Sequence, residues 1–159
     1  MPKILTYHIG MSVDLFVIGG GVGALWGGPV GWAAFALIPA TSQTVKLCDG
    51  SPNARVDDAD VMPFAAAIQW WHNQHWKPEV TADVLCVSDS PGVIAAGRSP
   101  ELRDPQSDWR FIQWFEDRGY SIQWQWEPRD RHLEVYEAAK AVRETFRGTL
   151  PRTSIPGSS

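Results

Sequence analysis

The chain has 159 residues, of which 44% are hydrophobic and 20% charged, and this composition is typical of one globular domain with its own hydrophobic core. A formal net charge of −4 and a sequence pI of about 5.5 argue against a surface that is basic throughout and built to hold phosphate backbones. The first residues contain no basic segment followed by a cleavage site, so we expect a cytoplasmic protein.

The first apolar run covers residues 13–18 and predicts a β-strand, which the glycines from Gly19 to Gly31 then interrupt. The uncharged stretch 15–38 is also long enough to cross a membrane as one helix, with glycines at the spacing of membrane helix packing. Its seven Gly and one Pro disfavour that helix. We therefore predict a strand, a glycine-rich loop and a second strand over 32–38, with no contact to a membrane.

The next segments predict a third strand and a first helix. Residues 44–48 form a strand that should end in a turn over 49–52, which completes an antiparallel meander. Three aspartates, at 57, 58 and 60, precede an Ala- and Gln-rich stretch (61–74) that favours a helix, and we interpret them as helix-entry charge. Pro63 is then tolerated in the first turn.

The second half alternates strands and helices. Residues 83–88 predict a buried parallel strand and 120–126 an edge-type strand. The helices are predicted over 91–96, over 107–118 with Ser107 or Asp108 as N-cap and Gly119 as C-cap, and over 133–147. Cys48 and Cys86 both lie in strand-like runs, so we expect two buried free thiols.

The predicted order β-β-β-α-β-α-β-α defines an α/β fold with a mixed five-stranded sheet and flanking helices. The domain covers 13–147, after an N-terminal extension (1–12) and before a tail (148–159) that we expect to be disordered.

Three stretches resemble ribonuclease H in the same order. Residues 28–33, GPVGWA, look like its glycine-rich first hairpin, and 84–90, VLCVSDS, look like its fourth strand, which ends in a catalytic Asp followed by Ser. Residues 109–126 look like its following helix and fifth strand. The resemblance covers about 13–147 and implies the ribonuclease H-like fold.

The resemblance also implies where catalytic residues would lie. The family holds two hard divalent cations with about four carboxylates. The fourth-strand Asp is present as Asp89, whereas the other three positions fall on residues without a carboxylate, namely Gly20 (Gly19 in a shifted register), Met62 or Pro63, and Tyr136. One carboxylate cannot hold two Mg²⁺, so we expect a catalytically inactive member that binds no metal and needs no cofactor.

An active metal-dependent ribonuclease H with a rearranged site remains an alternative. Asp60 lies close to the lost helix position, Asp14 begins the first strand, and Glu134 or Glu137 flanks the last lost position. Shifted registers would be needed to bring these carboxylates together, and only then would Mg²⁺ be the cofactor.

Two sets of residues are candidates for binding. The charge of the second half suggests nucleic-acid contacts at Arg98, Arg129, Arg131 and His132, the last lying near the family's loop histidine, although a solvated mixed-charge surface explains the same residues. The chain has nine Trp, and the candidates for partner contact are Trp70, Trp71, Trp76 and Trp109. Trp70 and Trp71 point about 100° apart on a helix, so one should face the core and the other the surface. Trp124 and Trp126 share a strand face, and we expect both to pack against a helix.

These observations favour an inactive ribonuclease H-like domain that acts as a structural or interaction subunit of a larger protein or nucleoprotein assembly. The alternative with the same fold is a protein that binds RNA or an RNA–DNA hybrid without cleaving it. The acidic pI and the many Trp favour a protein partner.

Overall fold

The computed structural model describes residues 12–24, 26–75 and 79–149, so most of the predicted extension and nearly all of the predicted tail lie outside the described residues. The described part contains five strands and four α-helices, and two of the helices, predicted over 91–96 and 107–118, lie between the fourth and fifth strands, where the predicted order had one. The strands are β1 (Leu15–Val22), β2 (Val30–Ile38), β3 (Gln43–Ser51), β4 (Asp83–Ser88) and β5 (Ser121–Trp126). The helices are α1 (Val56–Gln74), α2 (Pro91–Arg98), α3 (Trp109–Asp117) and α4 (Leu133–Thr149).

The strands form one mixed sheet in the order β3-β2-β1-β4-β5. β1, β2 and β3 are antiparallel neighbours, while β4 runs parallel to both β1 and β5. The predicted mixed five-stranded sheet is therefore confirmed, and so is the prediction that residues 15–38 form two strands and not one helix. Within the ranges given above, no helix is long and apolar enough to cross a membrane.

Helices cover both faces of the sheet. On one face, side chains of α1, α2 and α3 form the larger core, which includes Phe64, Ile112 and Trp124. On the other face, α4 packs on β1, β2 and β3 through a smaller core that includes Phe16 and Val135. The carboxyl ends of β1 and β4 lie together between these layers, which is where the predicted remnant of a site falls.

The glycines of β1 do not end the strand, contrary to the sequence prediction, because three of them allow helices to approach the sheet closely. A Cβ at Gly19 would stand 2.8 Å from the ring of Phe64, and one at Gly20 would stand 2.3 Å from the ring of Tyr136. At Gly21 it would lie 2.5 Å from the backbone carbonyl of Ala59. The strand therefore continues to Val22.

Pro63 lies inside α1 and not in its first turn, since the helix begins earlier than predicted, at Val56. Proline has no N–H for the carbonyl of Ala59 four residues back. That carbonyl is the group that lies against Gly21. The helix therefore lacks the backbone hydrogen bond to Ala59, whose carbonyl lies against Gly21.

Strand β3 also runs further than predicted, because residues 49–51 continue to pair with β2 and do not form a turn. Gly50 makes this possible, since a Cβ there would stand 2.2 Å from the carbonyl oxygen of Val30 and 2.9 Å from Phe146 of α4. The expectation of two buried thiols holds for Cys86 and is wrong for Cys48, which is exposed. Cys48 lies on the edge strand, two residues before the part of β3 that α4 covers.

Candidate functional site

Asp89, the residue expected to remain from a catalytic centre, immediately follows β4, at the end of the sheet where Gly20 of β1 also lies. Its carboxylate is already paired inside the molecule. The Nε of Arg129 donates a hydrogen bond to Asp89 Oδ2 over 2.9 Å, and the indole N–H of Trp126 donates to the Asp89 carbonyl oxygen over 3.0 Å. Arg129 therefore supplies the positive charge next to this carboxylate.

Tyr136 fills the space that a first-strand carboxylate would need. Its ring lies against Gly20, its hydroxyl accepts a hydrogen bond from the Asp89 N–H over 3.3 Å, and the Arg129 guanidinium stacks on it at 4.3 Å from the ring centre. Burial, together with the neighbouring Asp89 carboxylate, raises the pKa of Tyr136 above its ordinary value. The phenol is therefore neutral and offers no anionic oxygen.

Neither predicted position for the helix carboxylate lies at Asp89. Met62 faces the space between α1 and α3, beside Phe111, and Pro63 is fully buried next to Gly19. These positions came from the resemblance, and both carry side chains that do not ligate hard cations.

Asp60 is more than the helix-entry charge that the sequence suggested. Asp57 and Asp58 do lie in the first turn of α1, but Asp60 lies close enough to Asp89 for their charges to interact. Burial first, and then the negative charges of Asp89 and Asp57, raise the pKa of Asp60 to about 7 despite the opposing effect of Arg129. A second carboxyl group therefore lies within electrostatic range of Asp89.

The other carboxylates of the rearranged-site alternative lie elsewhere. Asp14 is at the opposite end of β1, where its Oδ2 accepts the N–H of Asp83 over 2.8 Å. Glu134 and Glu137 are exposed on α4. Across residues 12–24, 26–75 and 79–149, no group of three or more His, Cys, Asp or Glu side chains is arranged to hold a metal ion.

The residues around Asp89 do not fit a centre of two divalent cations. Such a centre needs several anionic oxygens directed at each ion. Here the Asp89 carboxylate is paired with Arg129, the pKa of Asp60 is raised to about 7, the group at Gly20 is a hydrogen, and Tyr136 is a neutral phenol. We call the group formed by Gly20, Asp60, Asp89, Arg129 and Tyr136 the Asp89 cluster.

A buried acid–base pair beyond β5 was not predicted from the sequence. Glu127 is 3% exposed, and its Oε1 lies 3.1 Å from His132 Nε2 and 3.5 Å from Arg131, while Gln125 donates to Oε2 over 3.0 Å. His132 was a candidate for nucleic-acid contact, but it is only 7% exposed and lies inside this pair. Glu127 holds this candidate in the interior, and its use in nucleic-acid binding stays a prediction.

The three arginine candidates lie at the surface and each has a partner within the chain. Arg98 donates to the Trp124 carbonyl oxygen on the edge strand β5 over 2.7 Å. Arg129 and Arg131, in one short turn, pair with Asp89 and Glu127. Their use in nucleic-acid binding stays a prediction.

The Trp candidates for partner contact lie in different environments. Trp71 and Trp109 are 5% and 7% exposed and belong to the larger core, so they offer no surface. Trp70 is partly buried, as expected for the neighbour of a core residue, and Trp76 lies outside the described residues. Trp124 packs against α2 and Phe64 as predicted, whereas Trp126 is 50% exposed, so the prediction that it packs against a helix is wrong.

The exposed aromatic side chains of the described residues are Trp26, Phe111, Trp114 and Trp126. Phe111 and Trp114 lie on α3 three residues apart, and this spacing places them on one helix face. Their solvent-facing position is visible in the sequence only if the buried positions of α3 (Trp109, Ile112 and Phe115) are assigned first.

Comparisons with known proteins agree with this architecture. No family model and no curated protein matches the sequence. Among solved structures, the N-terminal RNase H domain of a Mycobacterium tuberculosis protein superposes with a TM-score of 0.67 at 14% identity, over 88% of this chain and 100% of that one. RNase H1 from Halobacterium salinarum gives a TM-score of 0.60 at 16% identity, over 82% of this chain and 98% of that one.

A third similar structure, LC11-RNase H1 from compost in complex with an RNA/DNA hybrid, gives a TM-score of 0.64 at 9% identity, over 82% of this chain and 97% of that one. Together with the strand order β3-β2-β1-β4-β5, these matches show that the chain has the ribonuclease H-like fold. At these identities the likeness concerns the fold alone.

Proposed function

We propose that this chain is a catalytically inactive ribonuclease H-like domain that acts as an interaction subunit of a larger protein or nucleoprotein assembly. The observation that carries the proposal is the packing of Tyr136 against Gly20 together with the pairing of Arg129 and Asp89. The Tyr136 phenol occupies the space next to Asp89, and the Arg129 guanidinium already neutralises the carboxylate that bound cations would need. The net charge of −4 favours a protein partner over a phosphate backbone.

A second candidate function is binding of RNA or an RNA–DNA hybrid without cleavage. It is favoured by the exposed Trp126, whose ring lies beside Asp89 and Arg129 and could stack on a base. LC11-RNase H1, which shares the fold, is in complex with an RNA/DNA hybrid. Arg129 and Arg131 would then contact phosphates.

Hybrid cleavage and metal binding test the inactive assignment directly. Purified chain is incubated with a labelled RNA–DNA hybrid in Mg²⁺ and then in Mn²⁺, and Mn²⁺ binding is measured by calorimetry with wild type and Asp89→Asn. We expect no cleavage, and Mn²⁺ binding no tighter than to a surface carboxylate. Hybrid cleavage, or stoichiometric micromolar Mn²⁺ binding that Asp89→Asn abolishes, would overturn the proposal in favour of a rearranged active site.

A salt titration of hybrid binding distinguishes the protein-interaction proposal from the nucleic-acid-binding proposal. A protein that contacts several phosphates loses affinity with a slope near −0.9 per contact on duplex DNA. We expect weak or no binding near physiological salt. Submicromolar binding with a steep salt slope, weakened by Arg129→Ala with Arg131→Ala but not by Arg110→Ala, would assign the chain to nucleic acid. Arg110 is the matched control because it is exposed on α3, far along the chain from both candidates.

A further inference from the structure

An apolar groove lies between α1 and α3. It has a volume of about 390 Å³, and its lining residues are Met62, Ala65, Ala66, Gln69, Phe111, Trp114 and Phe115. We call it the α1–α3 groove. A second hollow of about 360 Å³ adjoins it and shares Met62 and Phe111. Phe111 and Trp114 are each 41% exposed.

The lining follows helical spacing on both sides. On α1 the groove uses Met62, Ala65 or Ala66, and Gln69, which are three, four and seven residues apart and share one face. The small Ala side chains form the floor, while Phe111 and Trp114 form one wall. A furrow of this kind between two helices is the shape into which a third helix packs its own ridge of side chains.

The charges around the groove differ from one end to the other. Near the start of both helices the adjoining hollow is lined by three carboxylates, Asp49, Asp58 and Asp108. Asp58 and Asp108 interact electrostatically, and Arg110 is the base that opposes them. At the far end, Arg118 stacks on Trp114 at 3.3 Å from the ring centre.

From these features we infer that the α1–α3 groove binds an amphipathic helix of a partner protein, with aliphatic side chains against Phe111 and Trp114 and Lys or Arg over Asp49, Asp58 and Asp108. The inference rests on the proposed function as an interaction subunit and names its surface and the chemistry of its partner. The three carboxylates disfavour a nucleic acid here, because they would face phosphates. An aliphatic helix with one basic end satisfies both the apolar floor and the acidic end.

The test uses two synthetic helical peptides of about 18 residues, a length of about 27 Å. Both carry Leu at positions i, i+3, i+4 and i+7. One has Lys at the end that would lie over the carboxylates, and the other has Glu at the same positions. Binding to the full chain is followed by fluorescence anisotropy, and the contacted residues are mapped by amide chemical shifts.

We expect the basic peptide to bind at least about tenfold more tightly than the acidic peptide. Phe111→Gln with Trp114→Gln should weaken binding about tenfold or more, since central aromatic residues dominate such contacts. Asp58→Asn with Asp108→Asn should weaken it by a smaller factor and flatten its dependence on salt. Trp26→Gln is the matched control, because Trp26 is 89% exposed in the β1–β2 loop, and it should leave binding unchanged.

Equal binding of the two peptides, or binding unaffected by both double variants, would overturn the inference. Concentration-dependent self-association of the wild type that Phe111→Gln with Trp114→Gln abolishes would overturn it in favour of a second copy as the occupant. The charge variants keep the test valid if the aromatic variant fails to fold. Hybrid cleavage would instead contradict the proposed function, so the two failures are distinguishable.

Discussion

The Asp89 cluster and the α1–α3 groove both include residues of α1, but they differ in whether their side chains are already paired within the chain. In the Asp89 cluster the charged and polar groups interact with one another, with Arg129 paired to Asp89, Tyr136 packed on Gly20 and Asp60 within electrostatic range of Asp89. In the groove, the largest side chains, Phe111 and Trp114, leave 41% of their surface in water. The polar groups of the Asp89 cluster are therefore paired within the chain, whereas the aromatic side chains of the groove are open to solvent.

The two regions differ because an unpaired carboxylate and an exposed aromatic ring carry different free-energy costs. A partly buried carboxylate without a counter-charge is costly, and Arg129 supplies that counter-charge to Asp89. An exposed aromatic ring costs much less, because much of any protein surface is apolar. Such a ring contributes to binding only when a partner removes it from water.

The largest expected effect concerns Gly20, where the Asp89 cluster is packed most tightly. Gly20→Ala would place a methyl group within 2.3 Å of the Tyr136 ring, and we expect the free energy of unfolding to fall by about 2–3 kcal/mol. Urea denaturation measures this. Gly92→Ala is the control, since a Cβ there meets nothing closer than 3.8 Å on α2, and it should be neutral or stabilising.

A double-mutant cycle with Tyr136→Ala identifies the contact that is responsible. If the Tyr136 ring is what Gly20→Ala displaces, the double variant should be more stable than the sum of the single effects by at least about 1 kcal/mol. Strictly additive effects would mean that the Gly20 substitution acts elsewhere in β1.

The next effect concerns Asp60, whose pKa in the folded protein is raised to about 7 from 3.8. The folded state therefore keeps a proton that the unfolded state releases above pH 4. Stability from this group is present below pH 4 and is lost as the pH rises to about 7. Asp60→Asn should stabilise the protein at pH 8 by about 2 kcal/mol and have no such effect at pH 4.

Thermal melts of wild type and variant across pH 4 to 8 check this expectation. Glu134→Gln serves as the control, because Glu134 is exposed in the first turn of another helix, α4, and should change the melts by a similar small amount across this pH range. Parallel curves for wild type and Asp60→Asn would contradict the burial of Asp60 beside Asp89.

A smaller effect is expected from the ion pair itself. Asp89→Asn should lower the free energy of unfolding by about 0.5–1 kcal/mol, because the Arg129 side chain is 53% exposed and screened by water. The same substitution removes one charge that raises the pKa of Asp60, so that pKa should fall. NMR titration of the Asp60 carboxyl measures the shift, and an unchanged titration would mean that the two groups do not interact.

The element order could be predicted from the sequence because it depends on local signals. Apolar runs, helix caps and turn residues gave all five strands and four helices, including Gly119 after α3, which has a positive φ. The prediction failed where a close approach decides the structure. Gly19 to Gly21 and Gly50 continue their strands because of the helices opposite them, and no local pattern reports those neighbours.

The candidate site could be predicted only in part, for the same reason. Asp89, Gly20, Met62 and Tyr136 were all found by their order along the resemblance. The pairs Asp89–Arg129 and Asp60–Asp89 join residues 40 and 29 positions apart, so neither leaves a periodic signal. Trp71 and Trp109 were named as candidates for partner contact but lie in the core, because aromatic enrichment does not distinguish a core from an interface.

The smallest expected change in the free energy of unfolding is that of a substitution in the α1–α3 groove, and it tests directly whether the groove wall is surface or core. Phe111 lies on the exposed wall of the α1–α3 groove, so Phe111→Gln should change the free energy of unfolding by no more than about 0.5 kcal/mol. Phe115, four residues later and 2% exposed, is the matched control, and Phe115→Ala should cost about 3–4 kcal/mol. Urea denaturation of both variants compares them under one condition. If Phe111→Gln were as costly as Phe115→Ala, the groove wall would be part of the core, and the open surface assigned to a partner helix would not exist. If it is neutral while peptide binding is lost, the same side chain serves recognition and not folding.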